Sequence, residues 1–263
     1  MSRMPTAFLS HGAPSFALEP GVAGAHLGAL GKTLPRPEAV LIVSPHWMTP
    51  QPGVGLASRP ETIHDFGGFS PALRRVHYPA PGHPALAART IDVLRQAGWA
   101  PRGYDDRGLD HGAWVPMLHL FPQADVPVFQ VSLPTKLDAE RAWAFGTALA
   151  PLADEGVMVI GSGSLTHNLF EFMHRAVEDE PYVRQFTDWV RDAVLRGDHA
   201  RLRRTLTEAP HARRAHPTDE HFLPLLIAAA ASQASHDVRV IDGGITHGVL
   251  SMDGFVFHAP PAA

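Results

Sequence analysis

The segment VLIVSPHW (residues 40–47) joins a continuous apolar run to a polar turn that carries a histidine. A second segment, VMVIGSGSLTHN (157–168), has the same order: an apolar run, a turn rich in glycine and serine, then a histidine. Short apolar runs bounded by turn residues are typical of strands that are buried on both faces of a sheet. Both segments therefore predict an α/β fold with histidines placed where strands end.

Strand-like and helix-like segments alternate along the rest of the chain. This alternation predicts an α/β fold with a central mixed, largely parallel sheet flanked by helices. Neither an internal repeat nor a low-complexity linker is evident, so we expect a single domain over residues 1–263. The other predicted strands are Ala7–Leu9, Val126–Val131, Val238–Ile241 and Gly254–Phe257, and the predicted helices are Ala23–Lys32, Pro84–Ala97, one from the cap Asp138 to Leu152, two within Tyr182–Leu206, and one from Thr218 or Asp219 to Ala231.

Composition excludes several classes of protein. The net charge is −4 and no run of Lys or Arg stands out, which disfavours nucleic acid and anionic membranes as partners. No stretch offers the roughly 18 consecutive apolar residues of a membrane-spanning helix, so we expect a cytoplasmic protein, with a homo-oligomer possible. There are seventeen histidines and no cysteine. Any metal ion must therefore be bound by imidazole, carboxylate or water.

Four histidines form the candidate metal site. His11, His46 and His167 each follow an apolar strand, and ligands of open α/β sheets bind beyond the carboxyl ends of the strands. His221 lies in the first turn of an apolar helix, where a cation is disfavoured and a neutral, ligating imidazole fits better. Neighbouring helix residues point about 100° apart. We therefore expect His221 to be the ligand and Glu220 to support it without contacting the ion.

Seven motifs, taken in order, carry a family resemblance. The chain resembles the class III extradiol ring-cleavage dioxygenases, and within them the 4,5-DOPA extradiol dioxygenase-like branch. The resemblance runs from His11 to about Ser251, nearly the whole chain, and the order of the motifs makes it specific. The motifs are SHGAPSF (10–16), VSPHWMT (43–49), TIHDFGGF (62–69), YPAPGHPALA (78–87), GLDHGAWVPML (108–118), GSGSLTHNL (161–169) and PTDEHFLPLL (217–226).

The resemblance implies one non-haem divalent metal ion per chain and cleavage of a catechol ring beside its two hydroxyls with O2. Iron(II) is the expected metal for activity and zinc(II) the expected metal of the isolated protein. His11 and His46 match the first two ligand positions. His167 matches the active-site base and is a candidate fourth ligand when zinc is bound. His221 matches the third ligand position, where better-known members have a glutamate, and a three-histidine site also suits zinc.

Three histidines are candidates for contact with substrate. His167 is the expected base, because an imidazole with an ordinary pKa near 6.5 can take a proton from a catechol hydroxyl and return it. His111 is expected at the same pocket as a hydrogen-bond partner of bound oxygen or the ring, with helix capping as the alternative. His64 is expected to contact substrate, unless its glycine-rich segment forms a rigid lid. Arg74 and Arg75 are possible anchors for a substrate carboxylate.

Two other functions compete with ring cleavage. A zinc hydrolase would use Glu220 or Asp65 as its general base, although no HExxH-type motif supports it. A non-catalytic metal-binding interaction protein of the same fold is the third hypothesis. His167 at the base position argues against that hypothesis.

Overall fold

The computed structural model describes residues 3–174, 179–233 and 237–258. An eight-stranded mixed sheet dominates this part of the chain, and a two-stranded sheet accompanies it, which confirms the predicted α/β fold class. The strands are β1 (Thr6–Ser10), β2 (Ala39–Thr49), β3 (Gly53–Gly55), β4 (Arg102–Tyr104), β5 (Val128–Pro134), β6 (Val157–Gly163), β7 (Val238–Ile241), β8 (Ile245–Thr246), β9 (Leu250–Ser251) and β10 (Gly254–Phe257).

The centre of the large sheet is parallel and its edges are mixed. The strand order is β4-β3-β5-β2-β6-β1-β10-β7. β5, β2, β6 and β1 run parallel to one another, whereas β10 pairs antiparallel with both β1 and β7, and β3 pairs antiparallel with β5. Parallel neighbours end at the same edge of a sheet. Residues that follow β1 and β6, and those near the end of β2, therefore meet on one side of the molecule.

Helices cover both faces of the sheet. Alternate residues of β2 face opposite sides of the sheet and are buried in two different hydrophobic clusters. Leu41 and Val43 belong to the first cluster, and Val40 and Ile42 belong to the second. Residues of α2, α4, α6 and α10 contribute to the first cluster, and residues of α1 and α3 to the second. The helices are α1 (Gly21–Gly31), α2 (Pro84–Gln96), α3 (His111–Leu120), α4 (Ala139–Leu149), α5 (Leu169–Met173), α6 (Pro181–Leu195), α7 (His199–Arg203), α8 (Thr205–Glu208), α9 (Ala212–Ala215) and α10 (Leu223–Ala231).

The start of α10 corrects one prediction. The helix begins at Leu223, so His221 precedes it, in a turn closed by a 2.9 Å hydrogen bond from the Phe222 amide to the Asp219 carbonyl. Pro224 explains this start, because proline suits the first turn of a helix, where its missing N–H is not needed. The Leu223 amide also bonds to the Asp219 carbonyl, at 3.2 Å, so the turn leads directly into the helix, and the side chains of Glu220 and His221 contact each other within it at 3.0 Å.

A second correction concerns β2, which extends well beyond the predicted Val40–Val43. Its pairing with β5 is regular up to Ser44 opposite Ser132 and then shifts, so that Met48 pairs with Leu133. Three residues of β2 therefore lie between two consecutive residue pairs of β2 and β5, which is a β-bulge. A bulge changes the direction in which the side chains of its strand point. His46 lies inside this irregular part of the strand, and the prediction that it follows the strand is wrong.

Within the described ranges, none of the helices combines the length and the apolar character needed to cross a membrane.

Candidate active site

His11 directly follows β1 and is 1 % exposed. Its Nδ1 lies 2.9 Å from the Ser162 hydroxyl oxygen, and that hydroxyl donates its own proton to the Gly112 carbonyl. Because the serine proton is already used, the serine oxygen accepts, and Nδ1 of His11 must carry the hydrogen. The Nε2 atom of His11 is therefore left with a free lone pair.

His46 enters the site from the bulged part of β2. Its Nε2 lies 3.1 Å from Nε2 of His11. On the other side of its ring, Nδ1 lies 3.9 Å from a carboxylate oxygen of Asp65. The amide of His46 also donates to the Ser44 hydroxyl at 3.2 Å, which holds the bulge in place.

His221 is placed by the turn before α10 and by close packing on β6. Its Nδ1 lies 3.0 Å from a carboxylate oxygen of Glu220, so Nδ1 carries the hydrogen and Nε2 is bare. Its carbonyl accepts from the Ser164 amide at 3.0 Å, and a Cβ added at Gly163 would lie 2.2 Å from that same carbonyl oxygen. Only glycine therefore allows the turn to approach β6 this closely.

The three rings converge in a way that suits a metal ion. One ligand atom from each of His11, His46 and His221 lies within 4.8 Å of the other two. Nitrogens bound at about 2.1 Å to one tetrahedral ion would lie roughly 3.4 Å apart. The Nε2 atoms of His11 and His46 lie 3.1 Å apart, which is close to this distance. Nε2 of His221 is buried and has no hydrogen-bond partner. A buried nitrogen without a partner is costly, and a metal ion would satisfy it.

Burial keeps these imidazoles neutral. Burial, followed by the proximity of the other histidines, holds the pKa of His11 and of His221 well below the ordinary value. Burial also lowers the pKa of His46 to about 3, although Asp65 and Glu220 oppose the shift. Neutral imidazole is the form that binds metal, so the three rings are ready to act as ligands at neutral pH.

His167 lies beside this group. Its ring stacks on that of His221 with centroids 3.5 Å apart, and its ligand atom lies within 4.8 Å of those of Glu220 and His221. Burial lowers the pKa of His167 to about 4. The structure thus brings His167 to the predicted place, next to the third candidate ligand.

His111 is the first residue of α3 and is 6 % exposed. The centroid of its ring lies 3.9 Å from that of His46 and 5.5 Å from that of His11. The cap of α3 is Asp110, whose carboxylate accepts from the Ala113 amide, so helix capping is not the role of His111. Its ring instead bonds to Asp65 and lines the cavity beside the candidate metal ligands.

A cavity of about 170 Å³ opens over the histidine cluster. Its walls are mainly apolar, and the described residues that line it include neither Arg nor Lys. The predicted anchors Arg74 and Arg75 are exposed and lie outside this lining. The lining residues are His11, Gly12, Ala13, Pro14, His46, Phe66, Phe69, His111, His167, Leu169, Phe172, His221 and Leu250.

His64, which was expected to contact substrate, also lies outside the cavity lining. Its Nε2 lies 3.0 Å from the Val76 carbonyl, and its ring contacts those of His77 and Trp114. The neighbours Asp65 and Phe66 reach the site instead.

The chain matches a known protein family over most of its length. A family model described as the catalytic LigB subunit of aromatic ring-opening dioxygenase matches residues 28–250. The chain belongs to this family. It is an aromatic ring-opening dioxygenase of the extradiol type, and enzymes of the family depend on a non-haem metal.

Individual relatives match over almost the whole chain. The chain is 37 % identical over 256 residues to a 4,5-DOPA dioxygenase extradiol of Beta vulgaris, covering 96 % of each protein. It is also 37 % identical over 256 residues to a 4,5-DOPA dioxygenase extradiol of Escherichia coli K12, covering 95 % of this chain and 93 % of that protein. The crystal structure of an uncharacterized protein from Escherichia coli K12 superposes with a TM-score of 0.79 at 31 % identity, covering 97 % and 100 %.

Proposed function

We propose that the chain binds one divalent metal ion through His11, His46 and His221 and uses O2 to open a catechol-type ring beside its hydroxyls. The observation that carries this proposal is the convergence of three neutral imidazoles, one with a buried, unpartnered Nε2, beneath an aromatic-walled cavity. The names of the Beta vulgaris and Escherichia coli relatives support extradiol cleavage.

Iron(II) is the proposed working metal. When bound, it would supply open coordination positions and the redox change that the reaction with O2 requires. A set of histidine nitrogens binds zinc more tightly than ferrous iron, so protein purified in air is expected to carry zinc. Zinc has no accessible redox change and would leave the protein inactive as a dioxygenase.

The protein side chains have separate tasks in this proposal. His167 is neutral at physiological pH, because burial lowers its pKa, and it can therefore accept the proton that a catechol hydroxyl loses on binding. The walls of Phe66, Phe69 and Phe172 would hold the aromatic ring and exclude water from it.

The hydrolase hypothesis finds less support. It needs a carboxylate free to act as a base on a metal-bound water. Both candidate carboxylates are hydrogen-bonded to imidazole nitrogens, Asp65 to His111 and Glu220 to His221. A carboxylate bonded in this way is suited to orienting a histidine and is less suited to moving protons.

The test uses one protein preparation and two metals. Metal-free protein is loaded anaerobically with iron(II) or with zinc(II), mixed with a simple catechol, and followed by oxygen uptake and by the absorbance of the opened ring. We expect oxygen uptake and a ring-opened product with iron only. The proposal is wrong if the iron-loaded protein leaves catechols intact, or if the zinc-loaded, iron-free protein oxidises them at the same rate.

A further inference from the structure

Asp65 makes three contacts with a single histidine. Its Oδ1 accepts from the backbone amide of His111 at 3.0 Å, and both of its carboxylate oxygens lie 3.0 Å from Nδ1 of the same residue. The Asp65 side chain is 22 % exposed and that of His111 is 7 % exposed. Asp65 is thus reached by water while His111 is buried, and the geometry of the pair is fixed at both the backbone and the ring.

The charge state of Asp65 determines the tautomer of His111. An ionised carboxylate can only accept hydrogen bonds, so the nitrogen that faces it must carry the hydrogen. Oδ1 of Asp65 also accepts from the backbone amide of His111, so all of its contacts with this histidine use the carboxylate as an acceptor. A neutral His111 paired with it has its hydrogen on Nδ1 and a bare Nε2.

The position and the tautomer of His111 together suit it to a hydrogen bond with a substrate hydroxyl. Its ring lines the cavity and lies against the ring of His46. An aromatic hydroxyl bound over the metal ligands is a hydrogen-bond donor, and a bare imidazole nitrogen is the acceptor that complements it. The other tautomer would turn an N–H toward the same hydroxyl, whose oxygen would then have to act as the acceptor.

We propose that Asp65 is a positioning residue that holds His111 as the Nδ1–H tautomer, so that Nε2 accepts a hydrogen bond from a hydroxyl of the aromatic substrate. This inference rests on the proposed function. It assigns to Asp65 an effect on substrate that acts through His111, distinct from any support that it gives to the metal ligand His46, whose Nδ1 is 3.9 Å away.

The first test measures the tautomer directly. In zinc-loaded protein, which is diamagnetic, long-range proton–nitrogen correlations report which imidazole nitrogen carries hydrogen, and His111→Gln assigns the signal. We expect the Nδ1–H form of His111 in the wild-type protein. We expect Asp65→Asn to abolish this preference, because an amide can present its own N–H to Nδ1. An Nε2–H form of His111 in the wild-type protein would overturn the proposal.

The second test measures substrate binding. Catechol binding to the zinc-loaded protein should weaken about tenfold in Asp65→Asn, the effect of one lost hydrogen bond, while zinc content stays that of the wild type. Asp65→Glu should recover part of the loss. Asp106→Asn, in an exposed turn, is the matched control and should bind catechol normally. In a His111→Gln background, Asp65→Asn should have little further effect, because the two residues act as a unit.

Three outcomes would overturn the proposal: unchanged catechol binding in Asp65→Asn, additive effects of the two substitutions, or loss of zinc in proportion to loss of catechol binding. The last would show that Asp65 acts on the metal ligands. These results are separate from the proposed function, which fails if the iron-loaded wild-type protein does not open catechol rings. The tautomer measurement does not depend on that activity.

Discussion

The rings of His167 and His221 lie parallel, with 9° between their planes and 3.5 Å between their centroids. His221 uses Nδ1 for Glu220 and directs a buried Nε2 toward the other ligand candidates. His167 has a more open position at the cavity wall. The stacking places the proposed proton acceptor, His167, beside a proposed metal ligand, His221.

Replacing His167 should therefore affect turnover more than metal binding. His167→Gln keeps polarity and approximate size but removes the titratable ring. We expect it to retain most of its iron and to lose about 10²–10⁴-fold in turnover, the usual range for general acid–base catalysis. Iron content per chain and oxygen uptake at several pH values check this prediction.

His46→Ala is the matched comparison, and its iron content and activity should fall together. Iron loss as severe in His167→Gln would make His167 an obligate ligand. Near-normal turnover in His167→Gln would show that another group carries the proton.

Glu220 should matter for metal affinity. Glu220→Gln removes the carboxylate that orients the ring of His221, so we expect zinc affinity to fall about 10–100-fold, as for other residues that support metal ligands. Competition with a chromophoric chelator measures the change. Glu19→Gln replaces an exposed glutamate and should leave affinity unchanged. Equal affinities for the two variants would contradict the supporting role.

The metal-free protein should lose stability as the pH falls. Burial lowers the pKa of His46 to about 3 and those of His167 and His216 to about 4, whereas an unfolded chain binds these protons near pH 6.5. Between these limits the unfolded state binds more protons, so the free energy of unfolding rises with pH and levels off above about 6.5. Urea denaturation of metal-free protein at about pH 5 and about pH 7.5 tests the sign. Equal stability at the two values would be contrary evidence.

The aromatic wall should contribute to substrate binding. Phe66 and Phe69 line the cavity, and the Phe66 ring meets that of His111 edge-on at 5.7 Å. Phe69→Ala removes part of the surface that a bound ring would cover, so we expect KM for catechol to rise about tenfold or more with iron content unchanged. Phe170→Ala, on an exposed side chain that does not line the cavity, is the control. A loss of iron in Phe69→Ala would instead indicate a structural role.

Gly163 should be required for the position of His221. A Cβ at this residue would lie 2.2 Å from the carbonyl oxygen of His221, so Gly163→Ala must move the turn. We expect zinc content to fall while the circular dichroism spectrum stays that of a folded protein. Gly28→Ala, where the nearest atom would lie 3.7 Å away, should bind zinc normally. Full zinc content in Gly163→Ala would show that the turn tolerates the displacement.

The long apolar strands could be predicted from the sequence because their signal is local. Each of the six predicted strands overlaps a strand of the structure, and Asp138 caps α4 as expected, with its carboxylate 2.8 Å from the Arg141 amide. The short strands β3 and β4, with three residues each, were missed because so few residues give no periodicity. α3 was also missed, because Gly112 and Pro116 have poor helix propensity, and burial of nearly the whole helix outweighs that cost.

For the candidate site too, only the features with a local signal could be predicted from the sequence. Histidines next to apolar strands are visible in the sequence, and the structure gathers His11, His46, His167 and His221 as expected. Glu220 is expected from the sequence as a support of His221, and its carboxylate lies 3.0 Å from that ring. Ser162 and Asp65 could not be recognised as partners of imidazole rings, because they are ordinary polar residues until the fold brings them to a nitrogen. The bulge that aims His46 depends on pairing with another strand, and no local pattern encodes it.

The placement of His11 has a consequence for the order of events in the cell. β1, which presents His11, lies between β6 and β10 in the sheet, and His221 is encoded more than two hundred residues after His11. A growing polypeptide carries two of the three nitrogens long before the third emerges from the ribosome, and β1 gains its antiparallel neighbour later still. All three nitrogens therefore exist in one chain only after translation has passed His221. Under the proposed function, the metal supply that the finished protein meets, and not the order of synthesis, would then determine which ion it binds.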